Sequence, residues 1–294
     1  MLDQRHKEVF YYPPAFSPGA TVYWVGNSGA GPAPMGVNRH STIASALAKC
    51  HNDAGDVIYV AAGHTENISS AGALTFDKAG VYVIGLGRGP TMPKFTIDTA
   101  AGATFNVTAE NVTLKDLWLF SAYEGGLTAG ITVTGDAGGL NLDGLLFTET
   151  DAGKEFIIGI KVAADCDDMT IQNCRYCGTA SGSTTNVIIA AGGTDRTVIR
   201  NNYIHAECTD SIIDLTAAAS TDLQILNNRV INIETGAGKG IDMHNSCTGI
   251  CADNKVANLK DTVVGVSGTG MSYFENYVTN ALTASGLLLP AADS

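Results

Sequence analysis

Two aspartates and a histidine are the residues best placed by type and spacing to do chemistry. Asp214 lies in SIIDLT, Asp242 in KGIDMH, and His244 follows two residues later. Aligned on neighbouring strands, the two carboxyls stand about 5 Å apart, which is the separation a retaining glycosidase uses. Stacked like charges repel, which would raise one pKa or recruit a cation. An outward Asp on a solenoid is commonly just solubilising surface, and that reading is preferred to catalysis.

Other chemistry-bearing groups read as structural. Asp165, Asp167 and Asp168 in ADCDDMT carry enough oxygen for Ca²⁺, but a solvated acidic turn explains them as well. Cys174-x-x-Cys177 and Cys247-x-x-x-Cys251 look like halves of a zinc site. Stacking the repeats described next puts Cys174 and Cys251 three coils, about 14 Å, apart, which no tetrahedral site spans. Neither a metal nor a cofactor is expected. The chain has seven cysteines in 294 residues, odd and sparse, so they read as reduced thiols rather than a disulfide framework.

The elements that must position these residues emerge from a repeat. LQILNNRV (223–230) recurs with drift as VTLKDLWL, LNLDGLLF, MTIQNCRY, TVIRNNYI, ICADNKV and SYFENYV. The position of Asn228 is filled in turn by Leu117, Leu145, Cys174, Asn202, Asn228, Asn254 and Asn276, at spacings of 28, 29, 28, 26, 26 and 22 residues. A second series precedes the first by about a dozen residues: ATFNV, AGITV, IIGIKV, NVIIAA, SIIDLT, KGIDMH and TVVGVS. Both alternate apolar with polar residues and are joined by Gly, Asp, Ser and Asn. Units of this size stack into a solenoid, so aligned positions form ladders about 4.8 Å apart. Cys174, Asn202, Asn228, Asn254 and Asn276 are therefore expected inside, the amides bonded to each other and to turn backbone.

STIASALAKCHNDAG, 41–55, reads as a short capping helix with Ser41 or Thr42 as N-cap, Ile43, Ala46, Leu47 and Cys50 on one face, and Gly55 at its end. The first coil then begins at GDVIYVAAG. Taken together, this helix, GDVIYVAAGHTENI, GVYVIGLG and the Asn-marked coils resemble the pectate-lyase-like right-handed parallel β-helix superfamily over residues 41 to 288. The resemblance implies an all-β, single-stranded, right-handed parallel β-helix with an N-terminal capping helix and an extended N-terminal arm. It implies little about activity, because the superfamily includes lyases, hydrolases, adhesins and viral spike or coat-associated proteins. Its enzyme signatures are missing here apart from the dipeptide Asp167-Asp168.

Residues 1–40 do not fit the repeat and read as a docking arm and linker, 41–288 as the β-helix, and 289–294 as a tail. Phe10, Tyr11, Tyr12, Pro13, Pro14 and Phe16 make the arm aromatic and proline-rich, as a partner-binding element is. Folding back over the first coil is the alternative. A formal charge of −12 opposes nucleic acid or an anionic membrane as partner. No secretory signal or membrane-length apolar run is visible, so synthesis in a host cytoplasm is expected.

Trp118, Leu146, Arg175, Tyr203, Arg229, Lys255 and Tyr277 follow the ladder positions and form an outward strip, suited to a protein or a glycan or serving as plain β surface. The favoured expectation is a structural component of a bacteriophage virion, a capsid decoration or short spike protein. It would dock through the arm on coat or tail protein, as a homotrimer with Leu146, Ile188 and Leu226 among its outward apolar contacts. A polysaccharide lyase or glycoside hydrolase at Asp214 and Asp242, and a glycan-binding adhesin on the strip, are the alternatives.

Overall fold

The computed structural model describes residues 19–27, 38–135, 137–179, 184–236, 238–259, 265–280 and 284–288. The arm residues Phe10 to Phe16 and the tail 289–294 lie outside them. Among the described residues the regular secondary structure is almost entirely strand, with one α-helix of five residues, Ile43–Leu47, and a single 3₁₀ turn, Gly89–Thr91.

The strands stack into three long sheets. The first sheet runs from Val22–Val25 and Val57–Val60 to Met271–Phe274, the second from Thr65–Asn67 to Asn276–Asn280, and the third from Leu74–Phe76 to Val266–Ser267. One coil visits all three in turn, as in Leu223–Leu226, Arg229–Asn232 and Lys239–Met243, and each strand pairs in parallel with its equivalents in the coils before and after. Among the described strands only Ala284–Leu288 pairs antiparallel, against Asn276–Asn280. The protein is a parallel β-solenoid.

The corners explain the repeat more fully than alternation does. LQILNNRVI reads as one strand, but the chain turns at Asn227, whose φ is 50°. Its equivalents Asp116, Gly144, Asn173, Asn201, Asp253 and Glu275 also have positive φ. Such left-handed backbone is tolerated best by Gly, Asn and Asp, and six of these seven positions hold one of them. The next residue then points inward: Leu117, Leu145, Cys174, Asn202, Asn228, Asn254 and Asn276 are all buried. A second set of left-handed corners, at Asn111, Gly139, Asp168, Arg196 and Asp222, leads from the third sheet back to the first. Each coil therefore carries three strands.

The core is a stack of identical positions. Ile160, Ile188, Ile213, Ile241 and Val266 form one inward column in the third sheet. Full burial of each such side chain contributes about 1.5–3 kcal/mol. Ile188 is thus not an outward contact. NVIIAA offers consecutive apolar residues, so alternation alone does not choose between the two faces, and pairing with Ile160 and Ile213 puts Ile189 outside. Phe95 packs edge-on against Phe105 at 5.2 Å, and Phe147, Phe156 and Tyr176 form a second ring cluster within the stack.

The solenoid starts earlier than residue 41. Val22–Val25 lies between Asn38–His40 and Val57–Val60 in the first sheet, so two strands of the expected arm and linker belong to the body. Buried Asp56 ties this end together by accepting the backbone N–H groups of Thr21 at 2.6 Å and His51 at 2.9 Å. Thr42 is the N-cap of the helix and accepts from the Ser45 N–H. The helix is shorter than the 41–55 segment, because Lys49 and Cys50 bond back to Ala46 and Leu47 in tight turns that end it.

Candidate functional site

Asp214 and Asp242 are direct partners on adjacent strands of the third sheet. They continue an outer column of Lys161 and Ile189 and are followed by Ser267. Asp214 is only 7% exposed, and its Oδ1 accepts the Thr216 N–H at 3.0 Å and the Thr216 hydroxyl at 2.7 Å. Lys239 Nζ lies 2.6 Å from Asp242 Oδ2, and the Ser267 hydroxyl donates to Asp242 Oδ1. The expected repulsion is thus offset by donors of the chain itself. His244 does not join the pair; its Nδ1 accepts the Ser246 N–H at 3.1 Å and closes a local turn.

A third carboxyl, Asp210, stands beside them. Burial first, then the charge of Asp214, push its pKa up, while a hydrogen bond from Asn186 opposes the shift. It opens the strand Ser211–Leu215, and the legible signal was an Asp four residues before Asp214. Three carboxyls, one of them biased toward its protonated form, with an adjacent lysine can exchange protons with a bound hydroxylic compound.

The second site is the outer face of the second sheet. Lys94, Trp118, Leu146, Arg175, Tyr203, Arg229, Lys255 and Tyr277 are in register on successive strands. The strip expected from sequence is therefore one continuous column, and Lys94 adds a rung at its start. Lys94 Nζ sits 3.5 Å from the centroid of Phe120 and 4.7 Å from that of Trp118. Trp118 Nε1 donates to Thr148 Oγ1 at 2.6 Å. The guanidinium carbons of Arg175 and Arg229 lie 5.3 Å and 5.4 Å from the Tyr203 ring, so each cation is held by an aromatic neighbour. Phe120, Ile231 and Lys94 were missed because the strip was read from one residue per repeat and only from Trp118 onward.

The remaining candidates resolve into structure. Cys174 is buried inside the wall, where burial pushes its thiol up to about 12, while Cys177 is half-exposed on the outer face beside the Arg175 Nε at 3.2 Å. The Cys-x-x-Cys spacing thus places its sulfurs on opposite sides. Asp167 and Asp168 both pair with Arg196, which approaches Asp168 Oδ1 to 2.6 Å and lowers its pKa. Asp167 also accepts the Asp195 N–H, and Asp195 that of Thr221, so this acidic turn caps successive corners.

Comparison with protein-family models, curated proteins and solved structures finds no match. Architecture therefore supplies the class: a three-sheeted parallel β-solenoid with an amide-lined inner corner and a basic, aromatic outer column. The likeness to the pectate-lyase-like superfamily rests on the sequence motifs alone. Among the described residues no helix is long and apolar enough to cross a membrane.

Proposed function

We propose that this chain is a partner-binding structural component of a bacteriophage particle, a capsid decoration or short spike protein attached to coat or tail protein. The observation that carries the binding role is the outer column from Lys94 to Tyr277, an ordered row of cations and aromatic rings of the kind enriched at interfaces. The phage assignment draws on the sequence resemblance. In this reading the β-solenoid is a stiff body and residues 1–20, with Phe10 to Phe16, are a second anchor. Self-association as a homotrimer would use the first sheet, where Leu226, Ala252 and Phe274 share a column beside Ile250; Phe274 is 48% and Ile250 43% exposed.

The test is cosedimentation of the purified chain with particles, using full-length protein and a variant lacking residues 1–20, with native mass measured for both. Binding of the full chain, reduced in the variant, and a trimeric mass are expected. A second reading, polysaccharide cleavage, is favoured by the stacked Asp214 and Asp242 with Asp210 beside them. Cleavage abolished by Asp242→Asn, with no particle binding, would replace the first reading with the second.

A further inference from the structure

We infer that the outer face of the second sheet docks on an acidic protein surface, with Arg175, Tyr203 and Arg229 as its centre. This rests on the partner-binding reading above and names the partner's chemistry and the residues that recognise it.

Charge carries the first step. Among the described residues, the outward positions of the second sheet hold Lys94, Arg175, Arg229 and Lys255 but no aspartate or glutamate; Glu66 and Glu149 fall on the opposite register. The chain as a whole carries −12. A carboxylate-free face bearing four cations on so acidic a protein favours an anionic partner and disfavours the same face of a second copy, which is basic too. None of the four cations forms an ion pair with another described residue.

Ring geometry chooses between anionic partners. A glycan reads an aromatic platform by laying sugar faces on open rings. Here the Tyr203 ring is flanked by the guanidinium groups of Arg175 and Arg229, and the rings of Trp118 and Phe120 share the ammonium of Lys94. Each guanidinium lies against the Tyr203 ring; Arg175 gives its Nε–H to Cys177 Sγ at 3.2 Å and keeps its terminal N–H groups, and such a fork grips a carboxylate with two parallel bonds. Arg175 and Arg229 are two rungs apart, about 9.6 Å at the usual strand spacing. Leu146 and Ile231 add apolar area beside them. Aromatic and arginine anchors amid apolar contacts are the composition of protein hot spots, and the column's length of about 34 Å suits a protein footprint.

The test measures binding of the full chain to poly-L-glutamate and to polygalacturonate at low salt, by titration calorimetry. Arg175→Ala/Arg229→Ala and Arg175→Lys/Arg229→Lys are compared, with thermal melts checking that both fold. The expected result is preference for poly-L-glutamate, weakened roughly tenfold or more by the alanine pair and partly by the lysine pair, which keeps charge but loses the fork. Equal or tighter binding to polygalacturonate, no binding to either, or alanine variants that bind as well as the parent would overturn the inference. Particle cosedimentation separates the two failures: particle binding that ignores the arginines sinks only this inference, whereas absent particle binding sinks the reading beneath it.

Discussion

Asn228 Oδ1 accepts both the backbone N–H and the side-chain N–H of Asn202, each at 3.0 Å. Its own Nδ2 donates to Ile199 O at 2.9 Å and to Asn254 Oδ1 at 3.0 Å. The same pattern joins Asn254 to Asn276, and at the other end Asn202 Oδ1 receives the Cys174 N–H. One amide per coil thereby satisfies the polar backbone of a buried corner and locks it to its neighbour.

Asn228→Ala leaves the Asn202 N–H and the Ile199 carbonyl without their partner in a site closed to water. Each such orphan costs about 1–3 kcal/mol, so a loss of roughly 2–6 kcal/mol is expected in denaturant unfolding. A loss below about 0.5 kcal/mol would mean that water enters the corner and that the ladder is not what holds it.

The ladder was legible because asparagines recurred at similar spacings of 26, 26 and 22 residues within a repeated motif, and burial of Asn is rare enough to need a reason. The corner residue before each ladder position was not visible in the sequence, because a left-handed corner of one residue does not interrupt alternation. A row of Asp116, Gly144, Asn173, Asn201, Asn227 and Asp253 was the available signal. Ile188 failed for another reason: VII has no polar residue to fix its parity. The Asp214 and Asp242 pairing followed from repeat alignment alone, whereas the involvement of Lys239, Ser267 and Asp210 depends on side-chain reach that spacing does not encode. Strand Val22–Val25 was hidden because it stands outside the repeat and joins the first sheet only through contacts far along the chain.

Thiol labelling follows from the same inward and outward geometry. All seven cysteines are free, six are buried, and Cys177 alone is half-exposed. Burial pushes Cys50, Cys174 and Cys251 up to about 12, and raises Cys166 and Cys208 as well. Because the thiolate is the reactive form, iodoacetamide at pH 8 is expected to modify Cys177 first and the other six only after unfolding. Mass spectrometry of digests before and after denaturation reads this directly. Rapid native labelling of Cys174 would show that the inner corner opens.

The pH response of the ring cluster is the last prediction. Glu149 Oε1 accepts the Tyr176 hydroxyl at 2.6 Å and the Phe156 N–H at 3.2 Å, and Oε2 accepts the Thr179 N–H at 2.9 Å and its hydroxyl at 3.3 Å. Burial raises the Glu149 pKa, and Glu155 adds a smaller push in the same direction, against the lowering effect of these hydrogen bonds. A folded value above the unfolded value of about 4.3 makes this group's contribution to stability complete below the unfolded pKa. That contribution is lost as pH rises through the folded value. Glu149→Gln cannot titrate, and its amide must turn a donor toward either Phe156 or Thr179, so it is expected to lose about 1–3 kcal/mol at neutral pH. The gap between parent and variant should then widen as pH falls from 7 toward 4, because only the parent gains from protonation. Urea unfolding of both proteins at several pH values measures the gap, and a gap that narrows with acid would show that the hydrogen bonds, not burial, set the ionisation of Glu149.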